Sequence, residues 1–344
     1  MTAPVSRPSS TPVDAVPGKA GGPAGGPVRL GGAVWAALAV VYVVWGSTYL
    51  AIRITLETMP GFLSAGARFV LAGSVLAGVV LVRHGTAALR VNVRQLGSSA
   101  LVGVLLLTGG NGLVVLGENY ISSGLAALLV AAVPLWMVLL TAAAGNRPKP
   151  AELTGVLLGL VGLAVLSAPA MGGGIAPVGV VAVIGGTLTW AAGSFAAKRL
   201  PMPGNVFTAS AYQMLVGGLG NVLLGLARGE QRGLDPAAFS TRSWLALGYL
   251  VLVGSLVAFT AYAWLLQSAP LTLVATYAYV NPVVAVALGW LVLAEPLTGP
   301  TLAGGAIVVM GVCLVVSGSR APRTSDRTPW RAPWRGLRRT PSGG

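Results

Sequence analysis

Apolar residues run through this chain in long unbroken blocks, without the alternation of a strand or the one-sided stripe of a surface helix. Ten such blocks cover roughly residues 32–52, 63–82, 98–117, 122–143, 153–169, 177–197, 206–227, 244–266, 271–292 and 300–317. A helix that crosses a ~30 Å hydrocarbon core needs about 20 mostly apolar residues, so each block predicts a membrane span. The polar positions gather in short connections and in two tails. The pattern predicts an all-α membrane protein of ten transmembrane helices, preceded by an N-terminal arm (residues 1–31) and followed by a C-terminal tail (319–344).

The blocks also repeat. Trp45-Gly46-Ser47-Thr48-Tyr49 leading to Arg53 is echoed by Trp190-Ala191-Ala192-Gly193-Ser194-Phe195 leading to Lys198. Pro134 is matched by Pro282, and the pair Gly155 and Gly162 by Gly304 and Gly311, all at a nearly constant offset. This divides the chain into a first repeat (32–170, spans one to five) and a second (171–318, spans six to ten). A unit of five spans is odd, so the second copy enters the membrane from the opposite face. Two inverted halves around a site near the midplane are an arrangement typical of transporters.

Composition agrees with a membrane protein: 55% of residues are hydrophobic and 9% charged. The formal charge of +14 does not point to nucleic acid, because of where the basic residues fall. With ten spans both termini share one side, and that side holds the tails and the loops bearing Arg83, Arg90, Arg94, Arg147, Lys149, Lys198 and Arg199. The other side has Arg53, Arg228, Arg232 and Arg242 among several acids. Lys/Arg excess marks the cytoplasmic face, which places both termini in the cytoplasm of a cell-membrane protein. The first 30 residues are rich in Pro, Gly, Ser and Thr and read as a disordered arm. The last 25 carry Trp330-Arg331-Ala332-Pro333-Trp334-Arg335, a basic stretch that either rests on anionic lipid or stays solvated.

Candidate chemistry is what interrupts the apolar background, since polar groups are costly in lipid and turn inward. Pro134 and Pro282 fall mid-span in spans four and nine, where each frees a carbonyl and bends the helix; they are the candidate gating positions. Trp45, Ser47 and Thr48 in span one, Asn111 in span three beside Gly109-Gly110, Trp190 in span six, and Tyr277 and Asn281 in span nine are the candidate substrate-binding residues. Tyr277 and Asn281 share a helical face, and Tyr279 points away from it. Asn281 serves either as glue between helices or as a substrate contact. Tyr262 and Trp264 lie near the cytoplasmic end of span eight, which suggests an interfacial belt role. Arg68 lies in span two, a turn or two below the outer surface. It either snorkels or pairs with Glu57, Glu118 or a substrate carboxylate. Glu118, at the outer end of span three, is the candidate for proton coupling, its alternative being a solvated loop carboxylate.

Several classes are excluded. There is no Walker lysine motif, no Gly-x-Ser-x-Gly elbow and no His/Cys/Asp cluster with metal spacing. The reading is therefore of a protein that is not an enzyme and has no cofactor or metal. Cys313 is the sole cysteine and allows no intrachain disulfide.

Trp45-Gly-Ser-Thr-Tyr, the Pro60…Arg68-Phe69 segment, Ser123-Gly124-Leu125-Ala126-Ala127…Val133-Pro134-Leu135 and Tyr277-Ala-Tyr-Val-Asn-Pro282…Glu295-Pro296 together resemble the EamA group of the drug/metabolite transporter superfamily. Gly110-Asn111-Gly112 followed by Glu118 looks most like its YedA-type exporters. The resemblance covers about residues 33–318. It implies ten helices in two inverted repeats, cytoplasmic termini, and efflux of small metabolites such as amino acids or their analogues, or of drugs. It also implies a cavity surrounded by spans one, three, four, six, eight and nine. The expected function is secondary, ATP-independent export by alternating access, carried out by a monomer whose partners are a small-molecule solute and membrane lipid. The alternative is a non-transporting scaffold or a lipid-head-group handler, whose midplane polar residues bond only to one another.

Overall fold

The computed structural model describes residues 31–121, 126, 129–146, 148–167, 177–281, 283–284 and 299–320. Both tails, Pro282 and the stretch around Glu295 lie outside the described residues. The regular elements among those described are all helical: α1 (Gly32–Leu56), α2 (Gly61–His84), α3 (Val93–Glu118), α4 (Val133–Ala143), α5 (Pro150–Ser167), α6 (Pro177–Ala197), α7 (Val206–Ala227), α8 (Thr241–Ser268), α9 (Leu271–Val274) and α10 (Gly299–Arg320). Six of them, α1 to α3 and α6 to α8, are long and apolar enough to cross a membrane.

The surface is that of a protein in lipid. Large aliphatic side chains such as Val82, Val181 and Leu245 face outward, whereas Thr48, Arg68, Ser99, Gln213, Asn221 and Asn281 are buried. In water this distribution would be unfavourable; in hydrocarbon it turns the polar groups inward, away from lipid.

With no hydrophobic drive between helices in lipid, close packing depends on small residues. Gly66 and Gly73 of α2 lie against Val222 and Leu215 of α7, so that a Cβ on Gly66 would come 2.5 Å from Val222 Cγ2. Gly155 of α5 lies against Val315 and Gly311 of α10, and Gly159 against Gly311, almost as closely. In both seams one residue number rises as the other falls, so the helices run antiparallel. The same holds for α3 with α6, where Gly110 touches Trp190 and Gly117 touches Val183. It holds again for α1 with α8, where Trp45 meets Gly254, Ser47 meets Tyr249 and Ile54 meets Ser243.

Helix starts are capped locally or from afar. Asn92 and Gln95 form a reciprocal capping box at α3, Asn205 caps α7 and Ser240 caps α8. The N-terminus of α2 begins after Pro60 without a side-chain cap of its own. The Glu230 carboxylate, from the loop after α7, accepts from the backbone N–H groups of Phe62 (3.2 Å) and Leu63 (2.9 Å) instead. It satisfies two of the free donors at that helix end.

Two helices contain wide, π-helical turns: Val104–Asn111 in α3 and Leu250–Phe259 in α8. Such turns displace backbone carbonyls from their usual partners. Here other helices use them. Asn221 of α7 donates to the Leu107 carbonyl (2.9 Å), and the Trp45 indole donates to the Gly254 carbonyl (3.2 Å). Short breaks also precede Pro134, at residues 131–132, and Tyr277, at 275–276. The first break lets Pro134 take up the first turn of α4, where its missing N–H costs nothing.

Candidate functional site

The wide turns and breaks converge on one interior cavity. It is lined from α1 (Trp45, Thr48, Tyr49, Ile52), α2 (Arg68, Phe69), α3 (Leu107, Gly110, Asn111, Val114), the α4 region (Val130, Val133), α6 (Gly186, Thr187, Trp190), α8 (Gly254, Phe259) and the helix after α9 (Tyr277, Asn281). Its volume is about 80 Å³. A single water occupies roughly 10–15 Å³ of such space, so there is room for several waters or for part of a small organic solute. A narrower cavity shares Ile52, Arg68 and Asn111 with it and continues toward Leu56, Gly61 and Leu247, at the end of the bundle where α1 turns into α2.

One wall is an aromatic box. The Trp45 ring centroid lies 5.4 Å from that of Trp190, 4.9 Å from Tyr262 and 5.0 Å from Tyr277. The edge-on arrangement of Trp45 with Trp190 and Tyr277 suits the ring quadrupoles. Hydrogen bonds lock the box from behind. The Trp190 indole donates to the Tyr262 hydroxyl (3.0 Å), and Ser194 bonds to the same hydroxyl (2.6 Å). Below it Leu38, Val41, Leu265 and Leu266 are fully or almost fully buried. Lys198, just past α6, donates to the Ala269 carbonyl just past α8 (2.6 Å). Burial and the adjacent Arg199 lower that lysine's pKa from its ordinary value. The bundle is thus tightly packed on the side where α6 and α8 end.

The opposite wall is polar and singly charged. Arg68 is 5% exposed. Its Nε donates to Ser255 Oγ (2.8 Å) in the wide turn of α8, and its guanidinium lies 4.7 Å from the centre of the Phe69 ring. Among the described residues the ion pair found is Arg242 with Glu57, near the surface; none is made by Arg68. The Asn111 Oδ1 is buried without a hydrogen-bond partner.

The structure brings together Trp45, Thr48, Asn111, Trp190, Tyr277 and Asn281, six of the seven residues expected to contact substrate. The seventh, Ser47, is elsewhere: it donates to the Val44 carbonyl and bonds to Tyr249. Two positions after Trp45, it points to a different side of α1. Asn281, in the amide orientation that suits its neighbours, donates to the carbonyls of Tyr277 (2.9 Å) and Tyr42 (3.2 Å). It therefore ties its helix to α1 while also bordering the cavity. Tyr279 faces away, its hydroxyl donating to the Val156 carbonyl (3.3 Å). Pro134 is buried in α4 next to the lining residue Val133, and Pro282 lies outside the described residues.

Three residues differ from their simplest reading. Arg68 does not snorkel. Glu118 is not a solvated loop carboxylate: it is 1% exposed, and neither carboxyl oxygen has a partner among the described residues. Arg53 donates to its backbone carbonyl (3.2 Å). Glu118 lies one turn beyond Val114, outside the cavity lining. Tyr262 is no belt residue but is fully buried behind the aromatic box. Its repeated (i, i+4) neighbourhood with Ala258 and Leu266, both buried, was the available signal. Thr187, Ser194 and Ser255 carried none, because small hydroxyl residues are common at helix contacts in lipid.

Known proteins are similar to this chain in sequence and in fold. The model of the EamA-like transporter family matches the chain twice, over residues 30–168 and 177–317. The "Uncharacterized inner membrane transporter YedA" of Escherichia coli is 36% identical over 289 residues, which cover 83% of this chain and 91% of that protein. A "Probable terminal-alkyne amino-acid exporter" of Streptantibioticus cattleyicolor is 28% identical over 313 residues, covering 88% of this chain and all of that one. A solved crystal structure aligns with a TM-score of 0.68 at 23% identity, covering 83% of this chain and 97% of its own, and so shares the fold.

Proposed function

The chain belongs to the EamA-like transporter family, and on that premise we propose that this membrane transporter is a secondary carrier, exporting small organic solutes by alternating access between two inverted halves. The observation that carries the reading is the cavity. It is built from both halves, continues toward one end of the bundle and is packed shut toward the other. A scaffold or lipid-handling protein has no need of such a chamber.

The inverted five-span repeat (32–170 and 171–318) has its own support. The family model matches each half separately. The wide turns of α3 and α8 fall about one repeat apart. Helices α2 and α7, each second in its half, pack antiparallel, as do α5 and α10. Helix α1 pairs with α8, and reciprocally α6 with α3. These pairings support a two-fold axis in the membrane plane. With ten spans, the Lys/Arg bias favours cytoplasmic termini for a protein of the inner membrane.

Aromatic faces with a few amides and hydroxyls suit amphipathic or zwitterionic solutes: amino acids, their analogues and drugs. Export is the direction named for the S. cattleyicolor relative. The test is a strain overexpressing the protein, screened against a panel of drugs and amino-acid analogues, with retention of labelled amino acids measured alongside. Raised resistance or lowered retention for some compound is expected; no change across the panel overturns export. Single cysteines at Thr48 and Asn111, in a Cys313→Ser background, should react with water-borne reagent while one at Leu38 is protected. Protection of all three overturns the water-filled chamber.

A further inference from the structure

The two cavities meet at Ile52, Arg68 and Asn111, and two of these three residues are polar groups left incomplete. We propose that Arg68 and Asn111 form a head-group subsite for an organic acid that carries a hydrogen-bond donor, an ammonium or a hydroxyl, on the carbon next to its carboxylate. This rests on the carrier reading above and names the substrate class of that site.

Arginine stays charged in a protein. A guanidinium that is 5% exposed must be matched by an anion or by water, because an unmatched charge away from solvent is costly. Arg68 makes one side-chain hydrogen bond, from Nε to Ser255, which fixes the plane of its fork and leaves the terminal nitrogens for another partner. Gly254 keeps the space beside them open: a Cβ there would stand 3.1 Å from an Arg68 Nη nitrogen. No carboxylate lines either cavity among the described residues. The planar fork matches a carboxylate through two parallel hydrogen bonds.

Charge balance narrows the ligand. Arg68 is the one charged side chain lining either cavity among the described residues. A carboxylate pairs with it one charge to one; a hydroxy acid completes a neutral unit, while a zwitterion also brings an ammonium whose charge has to be met by amide and carbonyl oxygens. The unpartnered Asn111 Oδ1 then requires a donor, which a ligand with an ammonium or hydroxyl beside its carboxylate supplies. The ligand's apolar body is left facing Trp45, Phe69 and Phe259.

The experiment measures binding to the purified full-length protein in lipid nanodiscs, by thermal stabilisation and by tryptophan fluorescence. The probes are L-leucine, L-2-hydroxy-4-methylpentanoate, 4-methylpentanoate and L-leucinamide, with the phenylalanine counterparts of each. The first two should bind best, 4-methylpentanoate more weakly and leucinamide weakest; which of the first two leads identifies the natural donor. Arg68→Gln should weaken the acids roughly ten- to hundredfold while changing leucinamide little, and Arg68→Lys should restore part of the loss. Asn111→Leu should remove the advantage of the α-substituted acids over 4-methylpentanoate. Amides binding as well as acids, an unchanged preference in Arg68→Gln, or no binding by any acid overturns the subsite. If Arg68→Gln does not fold, the wild-type probe order and Arg68→Lys still decide. A protein that exports compounds lacking a carboxylate, and ignores every acid, overturns the subsite and leaves the carrier reading intact.

Discussion

The indole N–H of Trp190 donates to the hydroxyl of Tyr262 at 3.0 Å, joining α6 to α8 directly beneath the cavity. Ser194 binds the same oxygen at 2.6 Å, so one buried phenol holds two positions of α6. Tyr262→Phe keeps the ring contacts with Trp45 and Tyr277 but leaves the Trp190 indole N–H unmatched, while Ser194 keeps its bond to the Trp190 carbonyl (2.8 Å). We expect a loss of about 1–3 kcal/mol with the fold retained. Tyr262→Ala opens a void as well and should cost about 3–5 kcal/mol. Thermal melts in nanodiscs check both; a Tyr262→Phe variant as stable as the parent would show that the bonds contribute nothing.

Glycine at the seams should matter by position and not by type. A Cβ on Gly103 would come 2.4 Å from the Gln213 carbonyl oxygen, a backbone atom that cannot swing aside, while Gly78 has nothing within 4 Å. Gly103→Ala should separate α3 from α7 and lower the melting temperature. Gly78→Ala, in the middle of α2, should be neutral or stabilise by up to about 1 kcal/mol. Equal melting temperatures for the two variants would contradict the packing described.

Glu230 caps α2 from a loop some 168 positions away. Glu230→Ala should cost about 0.5–2 kcal/mol and loosen the first turn of α2. Hydrogen exchange at Phe62 and Leu63 reads this directly, with faster exchange expected at these two amides and not at the capping box of α3.

The ion pair between Arg242 and Glu57 spans 3.8 Å, with both side chains well exposed. Exposed pairs contribute about 0–1 kcal/mol. Replacing both residues with glutamine should therefore shift the melting point less than Glu230→Ala does; a larger shift would mean that this contact clamps α1 to α8.

The bundle was legible because length and apolarity are properties of one dimension: a block of 20 apolar residues needs no knowledge of its neighbours. The aromatic and amide lining was legible for a related reason, since Trp45, Asn111, Trp190 and Asn281 are conspicuous against an aliphatic background. What stayed hidden depends on partners far along the chain. The spacing in α2 gives Arg68 its depth but not Ser255, 187 positions away, so an inward guanidinium could not be told from a snorkelling one. Tyr262 looked interfacial because it lies near a helix end, and only the packing of α6 and α1 over it makes that end an interior. Ser47 was grouped with Trp45 by adjacency, which a helix does not respect.

The broadened coils in α3 and α8 carry a consequence for insertions and deletions. Each residue of an ordinary helix advances about 100° around the axis, so an extra one turns everything after it unless a widened turn absorbs it and keeps the two flanking faces in register. Deleting Leu105 would let α3 tighten into a regular spiral with its first half still seated against α7. Asn111 would keep its bearing on the chamber wall, but the Leu107 carbonyl would close onto its own helix and leave the Asn221 amide without that partner.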